Sequence, residues 1–165
     1  MRRFIFILAA ALLVSACGIY SFSGTSIQPD VKSIDIQYFE YKALKVNPSL
    51  SNELTEAFRT RFRRMTKLEQ VEENGDLSLS GEVVGYDVSA LGITAQEVAS
   101  QNRLTVTVKV TFENRKYPDD NFSRTFSAYS DFDATQSLDA VQDGLCTEII
   151  DKIVEDVFNA SVAQW

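Results

Sequence analysis

Cys17 is the residue whose type and position most directly imply a chemical modification. It closes the motif Val14-Ser15-Ala16-Cys17 and is followed by Gly18. Small side chains at Ser15 and Ala16 suit the pocket of a lipoprotein signal peptidase, and a thiol at the next position suits thioether attachment of a diacylglycerol. The motif therefore predicts that Cys17 is a lipid anchor.

The residues before Cys17 have the composition of an export signal. Arg2 and Arg3 precede residues 4–14, which carry no charge. This apolar run is too short for a transmembrane helix, which needs about 20 residues. We expect residues 1–16 to be removed and Cys17 to carry fatty acyl chains such as palmitate. The alternative is an ordinary secretory signal followed by an incidental cysteine.

A second candidate site consists of cations that share one helix face. At about 100° per residue, Arg59, Arg63 and Lys67 project opposite an apolar stripe, and Arg64 lies on its flank. An arginine guanidinium can donate two parallel hydrogen bonds to one phosphate. These four residues are candidate phosphate contacts, whereas Arg61 falls within the apolar arc and is expected to extend past the sheet edge.

The same cations have a simpler explanation. Lysine and arginine are favoured at a helix C-terminus by the macrodipole, and Glu53 and Glu56 occupy the other end of this predicted helix. The sequence leaves both interpretations open.

Composition argues against catalysis and nucleic-acid binding. The chain has no histidine, and hence lacks the usual general base and the commonest metal ligand. Loss of residues 1–16 removes two arginines and takes the formal net charge from -7 to -9. Since nucleic-acid binding requires clustered cations, we expect no such partner. We also expect no enzyme activity and no cofactor.

The remaining reactive side chains do not form a recognisable motif. Cys146 lies between Leu145 and Ile149 on the apolar side of a predicted helix and is expected to fill the core. Four acidic residues invite comparison with a calcium site, but their spacing matches no ordered calcium loop: Asp131, Asp133, Asp139 and Asp143. We predict no metal site.

Hydrophobic periodicity defines the elements that position these residues. Apolar and polar residues alternate in four predicted strands, residues 33–39, 77–89, 103–112 and 122–132. A change of parity near Gly81 and Gly85 predicts a bulge. Helical spacing covers residues 48–67, with Asn47 as cap and Pro48 at the first helical position, and a second helix runs from Ser137.

The order β-α-β-β-β-α predicts an α+β two-layer sandwich. Its four-stranded, mostly antiparallel sheet would carry both helices on one face. Residues 17–30 form a lipidated tether and residues 31–165 one domain. In the tether, Ile19, Tyr20, Phe22 and Ile27 could dock on the domain.

Taken together, these segments resemble the LptE family of lipopolysaccharide-assembly lipoproteins, in its Bacteroidetes-type branch. The resemblance depends on their order across nearly the whole mature chain. The matching segments are residues 17–24, residues 47–51, residues 102–110, residues 126–133 and the acidic helix before Trp165.

The resemblance implies a periplasm-facing, lipid-anchored outer-membrane protein that plugs the LptD β-barrel and assists its assembly in lipopolysaccharide transport. Gly18 rather than aspartate after the anchor favours outer-membrane sorting. The candidate cations Arg59, Arg63, Arg64 and Lys67 would then contact lipid A phosphates. The helix-free sheet face is the expected barrel contact, because barrel lumens present polar side chains.

Two other functions remain open from the sequence. The chain could be a lipoprotein that activates or scaffolds another envelope complex, but a tether of residues 18–30 spans at most about 45 Å, which is short for crossing the periplasm. A hydrolase is the third alternative and lacks a recognisable pair of nucleophile and base.

Overall fold

The computed structural model describes residues 26–91 and 101–163. The predicted signal at residues 1–16, the anchor Cys17, the possible docking residues Ile19, Tyr20 and Phe22, and Trp165 lie outside the described residues.

The described chain forms an α+β sandwich, as predicted, with a larger sheet than expected. The strands are β1 (Ser33–Ile36), β2 (Glu40–Tyr41), β3 (Glu69–Val71), β4 (Leu77–Ala90), β5 (Gln101–Asn114) and β6 (Phe122–Asp133). The helices are α1 (Leu50–Met65) and α2 (Leu138–Val162), and Pro118–Asp120 forms a 3₁₀ turn.

The prediction of four strands was wrong. Within the described residues the sheet has six strands in the order β3-β1-β4-β5-β6, and β2 also pairs with β4. The predicted strand at residues 33–39 ends at Ile36 and is followed by the two-residue β2, while β3 follows α1. β1, β2 and β3 make parallel pairs only two or three residues long, which are too short to show a periodic pattern.

Three long antiparallel strands form most of the sheet. β4 pairs with β5 and β5 with β6 along nearly their full lengths. The register between β4 and β5 shifts between Val83 and Gly85, which confirms the predicted bulge and places it at Val84. Gly81 instead lies in the regular ladder opposite Val110. A Cβ there would lie 2.4 Å from the Lys109 carbonyl oxygen and 2.6 Å from Phe39 Cε1, so only glycine leaves room for the Phe39 ring.

Both helices cover one face of the sheet. α1 begins at Leu50, slightly later than predicted, because Ser49 is the N-cap and Pro48 precedes it; the side chain of Asn47 accepts a hydrogen bond from the Ser49 amide at 3.2 Å. Phe58 of α1 stacks on Phe39 with 4.9 Å between ring centroids. Where the helices meet, Phe62 packs edge-on against Phe158 of α2 at 5.2 Å.

Candidate functional site

The helix-free face of the sheet is lined by hydroxyl side chains, and we call it the open face. The alternate residues of β5 that point away from the helices include Thr105, Thr107 and Thr111, all half-buried. Thr107 Oγ1 lies 3.1 Å from Ser127 Oγ on β6, and Thr111 Oγ1 lies 3.2 Å from Ser123 Oγ. Cross-strand hydroxyl pairs therefore order this surface without removing its capacity to bind a polar partner.

One end of the open face carries a cluster of charged and aromatic side chains. Arg103 donates two hydrogen bonds to Asp131, from Nε to Oδ1 at 2.7 Å and from Nη2 to Oδ2 at 2.9 Å. The guanidinium carbon also lies 3.6 Å from the centroid of the Tyr129 ring. The hydrogen bonds from Arg103 lower the pKa of Asp131 below its ordinary value, so this carboxylate stays ionised to a lower pH than an ordinary aspartate.

The edge of the sheet beside this cluster is partly blocked. Lys152 of α2 reaches across and donates a hydrogen bond to the backbone carbonyl of Tyr129 on the edge strand β6, at 3.0 Å. Ser130 also donates to the Glu148 carboxylate of α2 at 2.7 Å. Occupied backbone groups and lysines on an edge strand disfavour pairing with a further strand, so the open face is a better contact surface than this edge.

The structure divides the four candidate phosphate contacts into two pairs. Arg59 and Arg63 lie toward β3: Arg59 bonds to Glu56 at 2.7 Å and to the Ile36 carbonyl at 3.3 Å, while Arg63 bonds to the Gln70 side chain at 3.3 Å. These hydrogen bonds hold Arg59 and Arg63 against the sheet edge.

Arg64 and Lys67 lie on the other side of the end of α1. They line a groove of about 400 Å³ between residues 27–32 and residues 64–68, which we call the tether groove. Lys32 and the apolar side chains of Ile27 and Met65 also line it. The cations of the predicted basic face thus point to two separate surfaces.

Residues assigned to the tether form one wall of this groove. The backbone amide of Ser26 donates to the Val162 carbonyl at 2.8 Å, and Gln28 donates to the Asp120 carboxylate at 3.0 Å. Ile27, one of the predicted docking residues, packs against the core. The last part of the predicted tether is therefore bound to the domain beside the C-terminal end of α2.

Arg61 lies within the apolar arc, as its spacing predicted. Its guanidinium carbon is 5.1 Å from the centroid of the Phe158 ring. Its Nε is buried and has no hydrogen-bond partner among the residues that the structure describes. This arginine serves the contact between the two helices and is not part of the phosphate-binding candidates.

Cys146 is buried, as expected, among polar groups beneath the loop before α1. Asn47 Nδ2 lies 3.5 Å from its sulfur. Burial raises the pKa of the Cys146 thiol, which keeps the sulfur protonated and unreactive at neutral pH. Burial also raises the pKa of the neighbouring Tyr86 to about 12.

The four acidic residues considered for calcium do not converge. Asp131 pairs with Arg103, and Asp133 accepts hydrogen bonds from the amide and hydroxyl of Thr135, whereas Asp139 and Asp143 lie in the first turns of α2. Within residues 26–91 and 101–163, no group of three or more potential ligand side chains could hold a metal ion.

Membrane spanning by a helix is not observed in the described ranges. Neither α1 nor α2 has an apolar stretch long enough to cross a bilayer.

Fold and surface together define a class of protein: a two-layer α+β domain with one face covered by helices and the other open and polar. The family described as "LptE: Lipopolysaccharide-assembly" matches residues 31–161. The chain belongs to this LptE family, which confirms the predicted resemblance.

Solved structures share this fold at low sequence identity. The hypothetical protein CT253 from Chlamydia trachomatis has a TM-score of 0.56 and 11% identity, and the match covers 79% of this chain and 97% of that one. A minor lipoprotein from Acinetobacter baumannii has a TM-score of 0.50 and 13% identity, covering 77% and 89%. Lipoprotein B from Nitrosomonas europaea has a TM-score of 0.50 and 8% identity, covering 79% and 85%. No curated protein matches the chain in sequence.

Two features of these surfaces were missed from the sequence. The pairing of hydroxyls across β5 and β6 depends on register, although alternation of serine with apolar residues at residues 122–132 was a visible signal. The tether groove joins residues 27–32 to residues 64–68, and no local pattern could indicate that contact.

Proposed function

We propose that this chain is an outer-membrane lipoprotein that plugs the LptD-type β-barrel and assists its assembly in lipopolysaccharide transport to the cell surface. Membership of the LptE family supports a role in lipopolysaccharide assembly. The observation that carries the finer proposal is the open face, a polar surface formed by three long strands and left uncovered by the helices in the described part of the chain.

The open face suits the interior of an outer-membrane barrel. Such barrels alternate apolar residues toward lipid with polar residues toward the lumen. Hydroxyl groups such as those of Thr107, Thr111 and Ser127 can donate and accept hydrogen bonds with a polar wall. Because they carry no charge, they lose less hydration free energy on burial than ionised side chains.

The proposed role is one of assembly and transport without catalysis. The protein would act through its surface, held at the membrane by the lipid on Cys17. In this proposal Arg59, Arg63, Arg64 and Lys67 supply cations for lipid A phosphates, from the two surfaces described above.

Affinity purification from detergent-solubilised outer membrane tests the barrel contact. Thr107→Arg with Thr111→Arg places two long cations on the open face and should reduce recovery of a large β-barrel partner at least tenfold. Thr147→Arg with Asn159→Arg makes the same charge change on exposed positions of α2 and should leave recovery unchanged. Equal recovery with both double variants would contradict the contact, and recovery of an inner-membrane enzyme instead of a barrel would contradict the function.

The anchor has its own test. Cys17→Ser should abolish incorporation of radiolabelled palmitate and release the protein from the membrane fraction, with Cys146→Ser as the matched control because that thiol is buried. Retention of label in the Cys17→Ser variant would refute the anchor.

Direct binding of lipopolysaccharide is tested by replacing each cation pair separately. Arg59→Gln with Arg63→Gln, and Arg64→Gln with Lys67→Gln, should each weaken binding, because each pair can neutralise phosphate charge. Lys109→Gln with Arg124→Gln removes equal charge elsewhere and is the control. Unchanged binding by both test variants would remove the proposed contact.

A further inference from the structure

The tether groove lies at the end of the domain from which the chain leads to the proposed lipid anchor. Ser26 is held there by its hydrogen bond to the carbonyl of Val162, the last residue of α2. Ser26 is nine positions after Cys17 in the sequence, and this length of chain spans at most about 30 Å. A lipid on Cys17 would therefore keep this end of the domain within about 30 Å of the bilayer.

Three acidic side chains near the groove have hydrogen-bond partners of their own. Asp76 accepts hydrogen bonds from the amides of Lys32 and Ser33 and pairs with Lys116 at 3.1 Å. Asp30 accepts a hydrogen bond from Tyr117 at 2.9 Å. Asp120 accepts hydrogen bonds from Gln28 and Asn114. Neither these three carboxylates nor that of Glu69, which follows Leu68, forms an ion pair with the cations of the groove among the described residues.

Those cations have no such partners. Within residues 26–91 and 101–163, the side chains of Lys32, Arg64 and Lys67 form no ion pair. All three residues are exposed, so they can reach an external anion. Beside them, Met65 exposes 48% of its surface.

Cations next to an exposed apolar side chain match the chemistry of a membrane surface, where phosphates lie just above acyl chains. We infer that the tether groove binds the phosphates of anionic glycerophospholipid headgroups in the leaflet that holds the Cys17 lipid. This contact rests on the proposed anchor. Headgroup binding would orient the domain so that the groove faces the bilayer. α1 and the long strands would then extend away from the bilayer.

The net charge of the chain opposes contact with an anionic bilayer, so the local cations of the groove matter for that contact. The chain without residues 1–16 has a formal net charge of -9, so an anionic bilayer repels the molecule as a whole. A local cluster of cations can offset this repulsion when it faces the bilayer. Because the anchor holds the groove near the bilayer, even a weak headgroup contact would be occupied in the anchored protein.

Vesicle co-sedimentation tests the inference with the chain from residue 17 carrying Cys17→Ser, which removes the anchor. We expect binding to vesicles containing phosphatidylglycerol at low ionic strength and none to pure phosphatidylcholine. Arg64→Gln with Lys67→Gln should weaken binding about 30-fold, whereas Lys109→Gln with Arg124→Gln should change it less than threefold. Equal effects of the two double variants, or equal binding to both vesicle types, would overturn the inference.

A fluorescent label reports the orientation independently. Met65→Cys places the label beside the groove, and Leu44→Cys places it on a fully exposed residue in the loop before α1. Met65 is the last residue of α1 and Leu44 lies in the loop before its first residue, and a helix of 16 residues is about 24 Å long. Spin-labelled lipids should quench the label at residue 65 and not at residue 44. Equal quenching at both positions would contradict the orientation.

The two proposals fail separately. These vesicles contain neither a barrel nor lipopolysaccharide, so loss of barrel recovery in the open-face variants leaves headgroup binding intact. If adding lipopolysaccharide to phosphatidylcholine vesicles restores binding while phosphatidylglycerol does not, the groove belongs to lipopolysaccharide transport and the inference is wrong.

Discussion

The two faces of the sheet are built from the same strands and differ in almost everything else. On β5, Val106, Val108 and Val110 are at most 1% exposed beneath the helices, while Thr107 between them is half-buried and Lys109 is exposed. One strand thus supplies the core from one set of alternate residues and a hydroxyl surface from the other. Substitutions on the open face should therefore cost less stability than substitutions beneath the helices.

Ionisable groups show the same contrast. Beneath the helices, burial raises the pKa of Tyr86 and of the Cys146 thiol because both lose hydration. On the open face, Asp131 has a lowered pKa because Arg103 donates hydrogen bonds to it. The covered face therefore favours neutral forms, whereas the open face stabilises charged ones.

The largest expected effect is at an aromatic residue of the covered face. Phe58→Ala removes a fully buried ring that stacks on Phe39, and should lower the free energy of unfolding by about 4 kcal/mol. Thr107→Ala on the open face should change it by less than about 0.5 kcal/mol. Urea unfolding followed by circular dichroism measures both, and similar losses would invalidate the contrast between the faces.

Asp35 is an exception to the contrast between the covered face and the open face. It lies on β1 beside Ser78 yet is only 1% exposed. It accepts hydrogen bonds from the Gly75 amide at 3.0 Å and the Ser78 hydroxyl at 2.7 Å, and Arg115 lies 3.6 Å away. Asp35→Ala leaves these donors unpaired and should cost about 3 kcal/mol.

Chemical denaturation of the Asp35→Ala variant checks this value. Asp133→Ala is the control, because Asp133 is exposed and its side chain bonds only to the nearby Thr135 among the described residues. A cost below about 1 kcal/mol for Asp35→Ala would show that this position of β1 tolerates substitution as the open face does.

Gly81 and Gly144 allow a comparison between a closely packed position and an exposed one. Gly81→Ala forces a Cβ against the Lys109 carbonyl and the Phe39 ring, and should destabilise the protein by about 2 kcal/mol. Gly144→Ala, in the exposed part of α2 where a Cβ meets nothing within 4 Å, should stabilise it by about 1 kcal/mol. Thermal melts that shift in the same direction for both variants would contradict the packing around Gly81.

The smallest effect concerns alkaline pH. The ordinary pKa of tyrosine is 10.0 and that of Tyr86 is about 12, so between these values the unfolded chain loses a proton that the folded one retains. The stability supported by neutral Tyr86 is present below about pH 10 and is lost as the pH rises toward 12. Tyr86→Phe should reduce this loss of stability, measured as the decrease of the urea midpoint with rising pH. An unchanged dependence of the midpoint on pH would exclude Tyr86 as the cause.

Some of the fold follows from local pattern and some does not. Alternation at residues 103–112 placed every valine of β5 on the covered face, and helical spacing put Arg61 inside the apolar arc. Both were predictable because side-chain direction repeats with a fixed period. β2 and β3 have only two and three residues, which are too few to show an alternation of apolar and polar residues. The predicted sheet was therefore too small.

The sequence by itself determined the helices, the long strands and the position of the cations on the outer side of α1, because each depends on residues close together in the chain. Only the tertiary structure decided that Arg59 and Arg63 lie against β3 while Arg64 and Lys67 line the tether groove. That division depends on segments more than 30 residues apart, residues 27–32 and 64–68. Such contacts depend on the packing of the whole core, and the periodicity of one segment does not predict them.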